Sequence, residues 1–396
     1  MPFVDQFAVP ATNPYISKAI ELADIFAQDA AERDRVGGAP HQQIQWIKES
    51  GLLKLPILKK YGGEEQPWSV ILRVVREFAK ADTSIAHLYG FHCLNVIGTI
   101  WKCSPEQIAS LQGETARNDW FWGNSINYLD RRLTGKKEGS HYVLNGLKGF
   151  SSGSPVADYL SVSWRDEEKD ELVFGCVPVT KTGLTVHDDW DGIGQRQTGS
   201  GTVQFENVIV YEDEISGSDR FADTAYATLI PILSKSVMTN LFIGSIEGAI
   251  KEAREYTLRH TRPFIASGVA KATEDPWIQR QYGELWLQLL AAAALGDTAL
   301  AKVDEVWEKG EALTTEERGE AAVLVGAANV FAGNAALEVT SRIFEVMGAR
   351  SATISHGFDR FWRNVRTHTL HDPVEYKLRS VGSWLLTGSV PSSVYG

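Results

Sequence analysis

Hydrophobic positions along this chain change their period twice, and the changes divide it into three segments. After a helix entry at Asn13-Pro14, Ile16, Ile20, Leu22, Ile25 and Phe26 recur at helical spacing, and Gly51 closes a run of amphipathic helices over residues 14–50. PILKKYGGEEQPW reads as a loop; Ile71, Val74, Val75 and Phe78 then restore the helical period, which continues through 84–112. From about residue 118 to 217 the period is two. Leu160 and Val162, then Val203, Phe205, Val208 and Val210, mark half-buried strands, and clusters of Gly, Asn, Asp and Ser mark the turns. From about 221 the helical period returns, with an Ala-rich stretch (Ala291 to Ala294) that permits close helix approach. RHTRPFIASG and ARSATISHGF read as loops interrupting these helices, and there is no tandem repeat or low-complexity linker. The pattern predicts an α+β protein: an N-terminal helical domain over 1–117, a middle antiparallel β-barrel or sandwich over 118–217, and a C-terminal helical domain over 218–396.

Composition narrows the classes. A chain of 396 residues exceeds one ordinary core, and 43% hydrophobic content with 12 Trp fits a well-buried protein with aromatic-lined cavities. The net charge of −11 leaves no basic stripe for nucleic acid or an anionic membrane surface. No run of ~18 uninterrupted apolar residues predicts a membrane span. MPFVDQFAVPATNPY lacks a basic region followed by an apolar run, so no secretory leader is expected. Cys93, Cys103 and Cys176 are too scattered for a disulfide framework or a zinc site, so no metal is expected and the compartment expected is the cytoplasm.

The order of segments, and several words within them, resemble the acyl-CoA dehydrogenase fold. LNGLKGFSSGSPVAD is similar to the strand that lies along the flavin in that family, and Tyr256 to Phe264 (YTLRHTRPF) to the segment that reaches a neighbouring subunit's flavin. KYGG and DWDGIGQRQTGSGTVQFENVIV match its early loop and its paired strands. The resemblance implies a C-terminal four-helix bundle and a homotetramer. The departures are informative, because dehydrogenases of this fold use a carboxylate to remove the α-proton of a thioester. Where many have Tyr-Glu-Gly, this chain has Leu370-His371-Asp372-Pro373, and the helix after the β segment offers no acid until Glu247. Gly123-Asn124-Ser125-Ile126 stands where Thr-Glu-Pro is usual.

ERDRVGG, HLYGFH, WGN, FSSG, DDWDGIG, TEDPW, FEVMGAR and GFDRFWRNVRTHTLHDP resemble instead the flavin-dependent monooxygenases of the same fold, which act on dibenzothiophene, methanesulfinate or indole. That branch takes reduced FMN, or sometimes FAD, from a separate NAD(P)H-dependent flavin reductase. It binds O2 and inserts one oxygen atom into a small-molecule substrate through a flavin C4a-hydroperoxide. The residues agree on one point: there is no P-loop, and Gly192-Ile193-Gly194 continues into Gln195-Arg196-Gln197 without the third glycine of a dinucleotide fingerprint.

By resemblance, Ser152 lies beside the flavin N5, Phe150 packs near the ring with Ser151 and Trp190, and Asn124 hydrogen-bonds flavin or substrate. A turn serine and plain core aromatics are the alternative readings. His87 and His371 are the expected catalytic imidazoles, since imidazole both donates and accepts near neutral pH. His368, three residues before His371, shares that turn, and a structural capping pair aided by Asp372 is its other reading. Phe91 and His92 are placed at the substrate pocket; Phe91 replaces a tyrosine of the thiophene-oxidising relatives, which puts dibenzothiophene itself in doubt. Arg262 is the expected flavin-phosphate contact, and Gly348, Ala349 and Arg350 are expected to approach the flavin as well. The leading reading is an oxygenase acting on a thiophene-type sulfur or a small alkyl sulfinate. Indole hydroxylation, a dehydrogenase with a relocated base, and a non-catalytic flavin-binding homologue are the alternatives.

Overall fold

The structure, a computed structural model, describes residues 13–217 and 224–391; the start of the chain, inspected above for a leader, and the boundary at 218 lie outside them. The first segment folds as α1 (Pro14–Ala27), α2 (Ala30–Val36), α3 (His41–Ser50), α4 (Trp68–Ala81), α5 (Thr83–Lys102) and α6 (Pro105–Asn118). Their starts are set by side-chain caps. Asn13 Oδ1 accepts from the backbone N–H of Tyr15 and Ile16, Asp82 caps α5 through Ser84 and Ile85, and Ser104 and Gln107 form a reciprocal capping box on α6.

The middle segment comprises β1 (Trp122–Ser125), β2 (Leu133–Glu138), β3 (His141–Lys148), β4 (Tyr159–Asp166), β5 (Leu172–Pro178), β6 (Leu184–Val186), β7 (Val203–Val210) and β8 (Ile215–Ser216). They form one sheet in the order β6-β7-β3-β2-β4-β5-β8, with β1 paired to β4. The sheet is antiparallel except that β4 runs parallel to both β1 and β2. The expected all-antiparallel pairing fails there because the chain leaves β1, makes the β2–β3 hairpin, and returns beside β1 in its original direction. Val203 and Phe205 keep one phase of the two-residue period and Val208 and Val210 the other. The slip is a bulge: register shifts between Leu144 and Gly146, opposite Asn207 at φ 53°. Gly146 sits there at φ 130°, where a Cβ would lie 2.0 Å from the Arg132 carbonyl.

The last segment folds as α7 (Ile230–Arg259), α8 (Pro276–Glu308), α9 (Thr315–Met347), α10 (Asp359–His368) and α11 (Val374–Thr387). The helices containing α7 and α9 are long and apolar enough to cross a membrane by composition, yet 83% and 67% of their most apolar windows are buried inside the protein. They are core helices. α8 and α9 pack on α7, α11 lies along α9, and α10 crosses both α7 and α9. α4 packs so closely on α7 that a Cβ on Gly248 would lie 2.0 Å from the Lys80 carbonyl, and one on Gly244 2.4 Å from that of Arg76. One apolar core runs without a break from α1 and α4 through the sheet to α7 and α9, and α5 is buried on nearly every face within it.

Candidate active site

Two groups of expected residues assemble where the sheet meets α5 and α10. The first is aromatic and basic. His87, in the second turn of α5, is buried at 6% exposure, stacks on Phe91 at 4.2 Å between ring centroids, and meets His368 from α10 at 4.8 Å. Neither ring nitrogen of His87 finds a hydrogen-bond partner within the protein, nor does Nε2 of His368. Burial, with the neighbouring imidazoles of His368 and His371 adding to it, pushes His87 well below the usual histidine range. His368 is pushed down to about 3 by the same burial and by His371. Both are therefore neutral donor–acceptor groups at physiological pH. His371 lies just beyond α10 with a half-exposed side chain, its Nδ1 3.2 Å from Asp372 Oδ1. Burial alone would raise the Asp372 carboxyl, but the His371 hydrogen bond and the Lys377 and Lys235 charges hold it at about 2.

The second group lies on the sheet. Lys148, fully buried, donates to the carbonyls of Asn127 (2.7 Å) and Asp130 (2.8 Å), and Asp130 accepts from Gly149 N–H at 2.9 Å. This pinned turn forces Phe150 to φ 55° and leaves its ring 65% exposed. Phe150 meets Trp190 edge-on at 5.9 Å, and the two wall a cavity of about 380 Å³ that Ser200, Asp130 and Arg132 also line. Ser152 follows, half-buried. Its carbonyl accepts from Asn124 N–H of β1 at 3.0 Å, and its hydroxyl shares a 2.7 Å hydrogen bond with Ser200.

One loop joins the groups. Ser200 Oγ pairs with Thr198 Oγ1 at 2.6 Å, and Thr198 Oγ1 donates to the Gln195 carbonyl at 2.9 Å. Gln195 bonds in turn to Thr83 of α5 and Asn364 of α10. Gly194 continues this contact, since a Cβ there would lie 2.1 Å from the Arg363 carbonyl. Gly194 thus serves close packing against α10, and Gly192 makes room for the Trp190 ring.

Three sets of expected residues are engaged elsewhere in the chain. His92 does not reach the pocket: its Nδ1 accepts from Trp122 N–H at 3.1 Å and its Nε2 donates to the Leu53 carbonyl at 3.0 Å, so both ring nitrogens are spent tying α5 to β1. Ser151 is fully buried, accepting from Ser125 Oγ at 2.9 Å and donating to the Lys148 carbonyl at 3.2 Å, so its hydroxyl is engaged within the sheet. Arg262, Gly348, Ala349 and Arg350 do not join the site within one chain. Gly333 of α9 packs beside Thr369, whereas Thr261 Oγ1 donates to Met347 O and Arg350 donates to His260 O, at the far end of α9. The rise from Gly333 to Met347 is roughly 20 Å at 1.5 Å per residue. Gln195 and Asn364 were not anticipated, because nothing in a glutamine-rich turn signals contact with a helix 169 positions on.

Comparison with known proteins gives this geometry its context. Three family models match in chain order: the acyl-CoA dehydrogenase N-terminal domain over residues 21–111, its middle domain over 129–208 and its C-terminal domain over 237–376. The chain is 41% identical to a probable FMNH2-dependent monooxygenase, SfnC, of Pseudomonas putida, covering 96% of each. The structure of methanesulfinate monooxygenase MsuC from Pseudomonas fluorescens superposes with a TM-score of 0.93 at 43% identity, over 97% of this chain and all (100%) of that one. TdsC of Paenibacillus sp. A11-2, a dibenzothiophene monooxygenase whose structure was solved with FMN and indole, gives 0.92 at 38% identity over 97% and 100%.

Proposed function

We infer the reaction from the premise that this chain belongs to the acyl-CoA dehydrogenase fold and, within it, to the FMNH2-dependent monooxygenases. It is a two-component oxygenase that inserts one atom of O2 into an organosulfur compound, either a thiophene-type sulfur or a small alkyl sulfinate. The observation that carries this reading is the buried, neutral His87–His368 pair, with both His87 nitrogens and Nε2 of His368 left without a partner, beside His371 in the stretch where many dehydrogenases of the fold carry their acid. Glu247 does not supply that acid: it lies 2.9 Å from the Lys80 ammonium, on the α4 side of α7.

The residues fit FMN. Phe150 and Trp190 offer aromatic walls, Ser152 and Asn124 offer polar groups for the edge of the ring, and Arg262 and Arg350 offer guanidinium groups for the phosphate. The two arginines lie too far along α9 to serve their own chain's cavity. The arrangement therefore calls for a neighbouring subunit, and a homotetramer is the assembly proposed. Reduced FMN, when bound, supplies the electrons that activate O2. The chain's own part is to exclude water and to hold protons. His87 and His368 each present a neutral nitrogen to the reacting oxygen, and His371, held by Asp372 at the rim, returns a proton to the hydroxyl that leaves as water. Because the Gly192–Gly194 loop packs on α10, reducing equivalents are assigned to a separate NAD(P)H-dependent flavin reductase.

Oxygen uptake with photoreduced FMN, in the presence of methanesulfinate, dibenzothiophene or indole under 18O2, tests the reading. One labelled oxygen in a sulfur product supports it, and peroxide as the sole product with every compound refutes it. The Phe91 ring stacked beside His87 also offers a flat apolar face to a heteroaromatic, so labelled indole products would favour hydroxylation by the same machinery. Anaerobic bleaching of the bound flavin by an acyl-CoA would instead identify a dehydrogenase.

A further inference from the structure

Gln195 is 2% exposed, sits in the left-handed region at φ 53°, and makes its contacts in two opposite directions. A non-glycine residue persists in that conformation only where its surroundings over-determine it. Toward the helices, its backbone N–H donates to Asn364 Oδ1 at 2.6 Å, and its Nε2 donates to Thr83 Oγ1 at 3.1 Å and to the Asn364 carbonyl at 3.4 Å. Thr83 precedes His87 by four residues and Asn364 precedes His368 by four. Each contact thus lies one helical turn below a site imidazole, on the same face. Toward the sheet, the Gln195 carbonyl accepts from Trp190 Nε1 at 2.8 Å and from Thr198 Oγ1 at 2.9 Å, and Thr198 leads through Ser200 to Ser152. The Asn364 carbonyl fixes which way the amide faces, since only the NH2 end can meet it. Oε1 is left buried without a partner. An apolar side chain of the same length would avoid that desolvation penalty. Packing alone therefore does not account for a glutamine here; its donors do.

We propose that Gln195 is a positioning residue: by clamping α5 and α10 to the loop that orders Ser200, it sets the His87–His368 pair against the Ser152 hydroxyl and Trp190. The inference rests on the reading above that these groups serve one reaction. Gln195→Met keeps the length and the backbone bonds and removes the amide; Thr83→Val removes one acceptor without changing shape.

For Gln195→Met, the thermal midpoint and FMN affinity should stay near the parent's, while product per O2 consumed falls by between about tenfold and about 100-fold and peroxide rises, the upper figure being the cost of misplacing reacting groups by about 1 Å. Thr83→Val should move the same way. The double variant should be no worse than Gln195→Met alone, since the two changes break one clamp. A readout independent of turnover is 15N-histidine NMR of the parent and Gln195→Met across pH. The parent's two contacting imidazoles should resist protonation down to pH ~5, and those of the variant should protonate nearer the ordinary value of ~6.5. Identical titrations in the two proteins, or full coupling in both single variants, would overturn the assignment. If Gln195→Met loses stability broadly, Thr83→Val decides: reduced coupling supports the clamp, parental coupling refutes it. Should the parent give no oxygenated product at all, the functional reading falls, and the histidine titrations still judge the clamp.

Discussion

Replacing His368 with Gln should make the protein more resistant to acid relative to the parent, by an amount the structure fixes. The unfolded imidazole titrates near 6.5, while burial and His371 hold the folded one at about 3. The folded-state value is depressed, so the contribution of this group is fully present above pH ~6.5 and is lost as pH falls toward 3, because only the unfolded chain takes up the proton. Each unit is worth about 1.4 kcal/mol, so the loss is about 2 kcal/mol at pH 5 and approaches about 5 kcal/mol near pH 3. His87 shifts in the same direction, but it is present in both proteins and largely cancels in the difference. Glutamine keeps polar atoms near the same place and takes up no proton. Urea unfolding at pH 7.5, 6.5, 5.5 and 5 should therefore show the stability gap between parent and variant shifting by about 2 kcal/mol in the variant's favour over that range. Parallel pH curves would refute the argument, since they would mean that His368 is solvated or partnered when folded.

Gly248→Ala should lower the urea midpoint by an equivalent of about 1–3 kcal/mol, because the new methyl would press on the Lys80 carbonyl and spread α4 from α7; an unchanged midpoint would mean the helices are not so closely seated. Arg262→Ala should leave the thermal midpoint unaltered, since the residue is exposed, while weakening FMN binding by about tenfold through loss of a charge-assisted contact. Equal FMN affinity would remove it from the phosphate site. His371→Ala should cut product per O2 several-fold with FMN affinity within about twofold, and unaltered coupling would exclude it from proton return.

The architecture was readable because its signals are periodic and local. Caps at Asn13, Asp82 and Ser104, and alternation along β7, each depend on residues a few positions apart. The site was half readable. His87, Phe91 and His368 come together in one ring cluster, whereas His92, about 100° round α5 from Phe91, turns to β1, a distinction that depends on how α5 is rotated against β1. Ser151 and Ser152 divide similarly, one hydroxyl turned to Ser125 and the other to Ser200. Arg262 lies at the far end of α9 from its own chain's imidazole cluster, and its motif, YTLRHTRPF, already points beyond one chain. Gln195 was silent because its partners are set by tertiary contact alone.

The spending of His92 and Asn95 on β1 has a consequence for how enzymes of this kind diverge. Through His92 to the Trp122 amide and Asn95 to the Gly123 carbonyl, α5 is fastened like a rail along its back edge. Phe91, one turn before Asn95 on the same face, packs on His87 and has no part in that fastening. Exchange of that single ring should thus leave the rail intact, so that one chassis tolerates a change beside His87 without loosening its hold on β1.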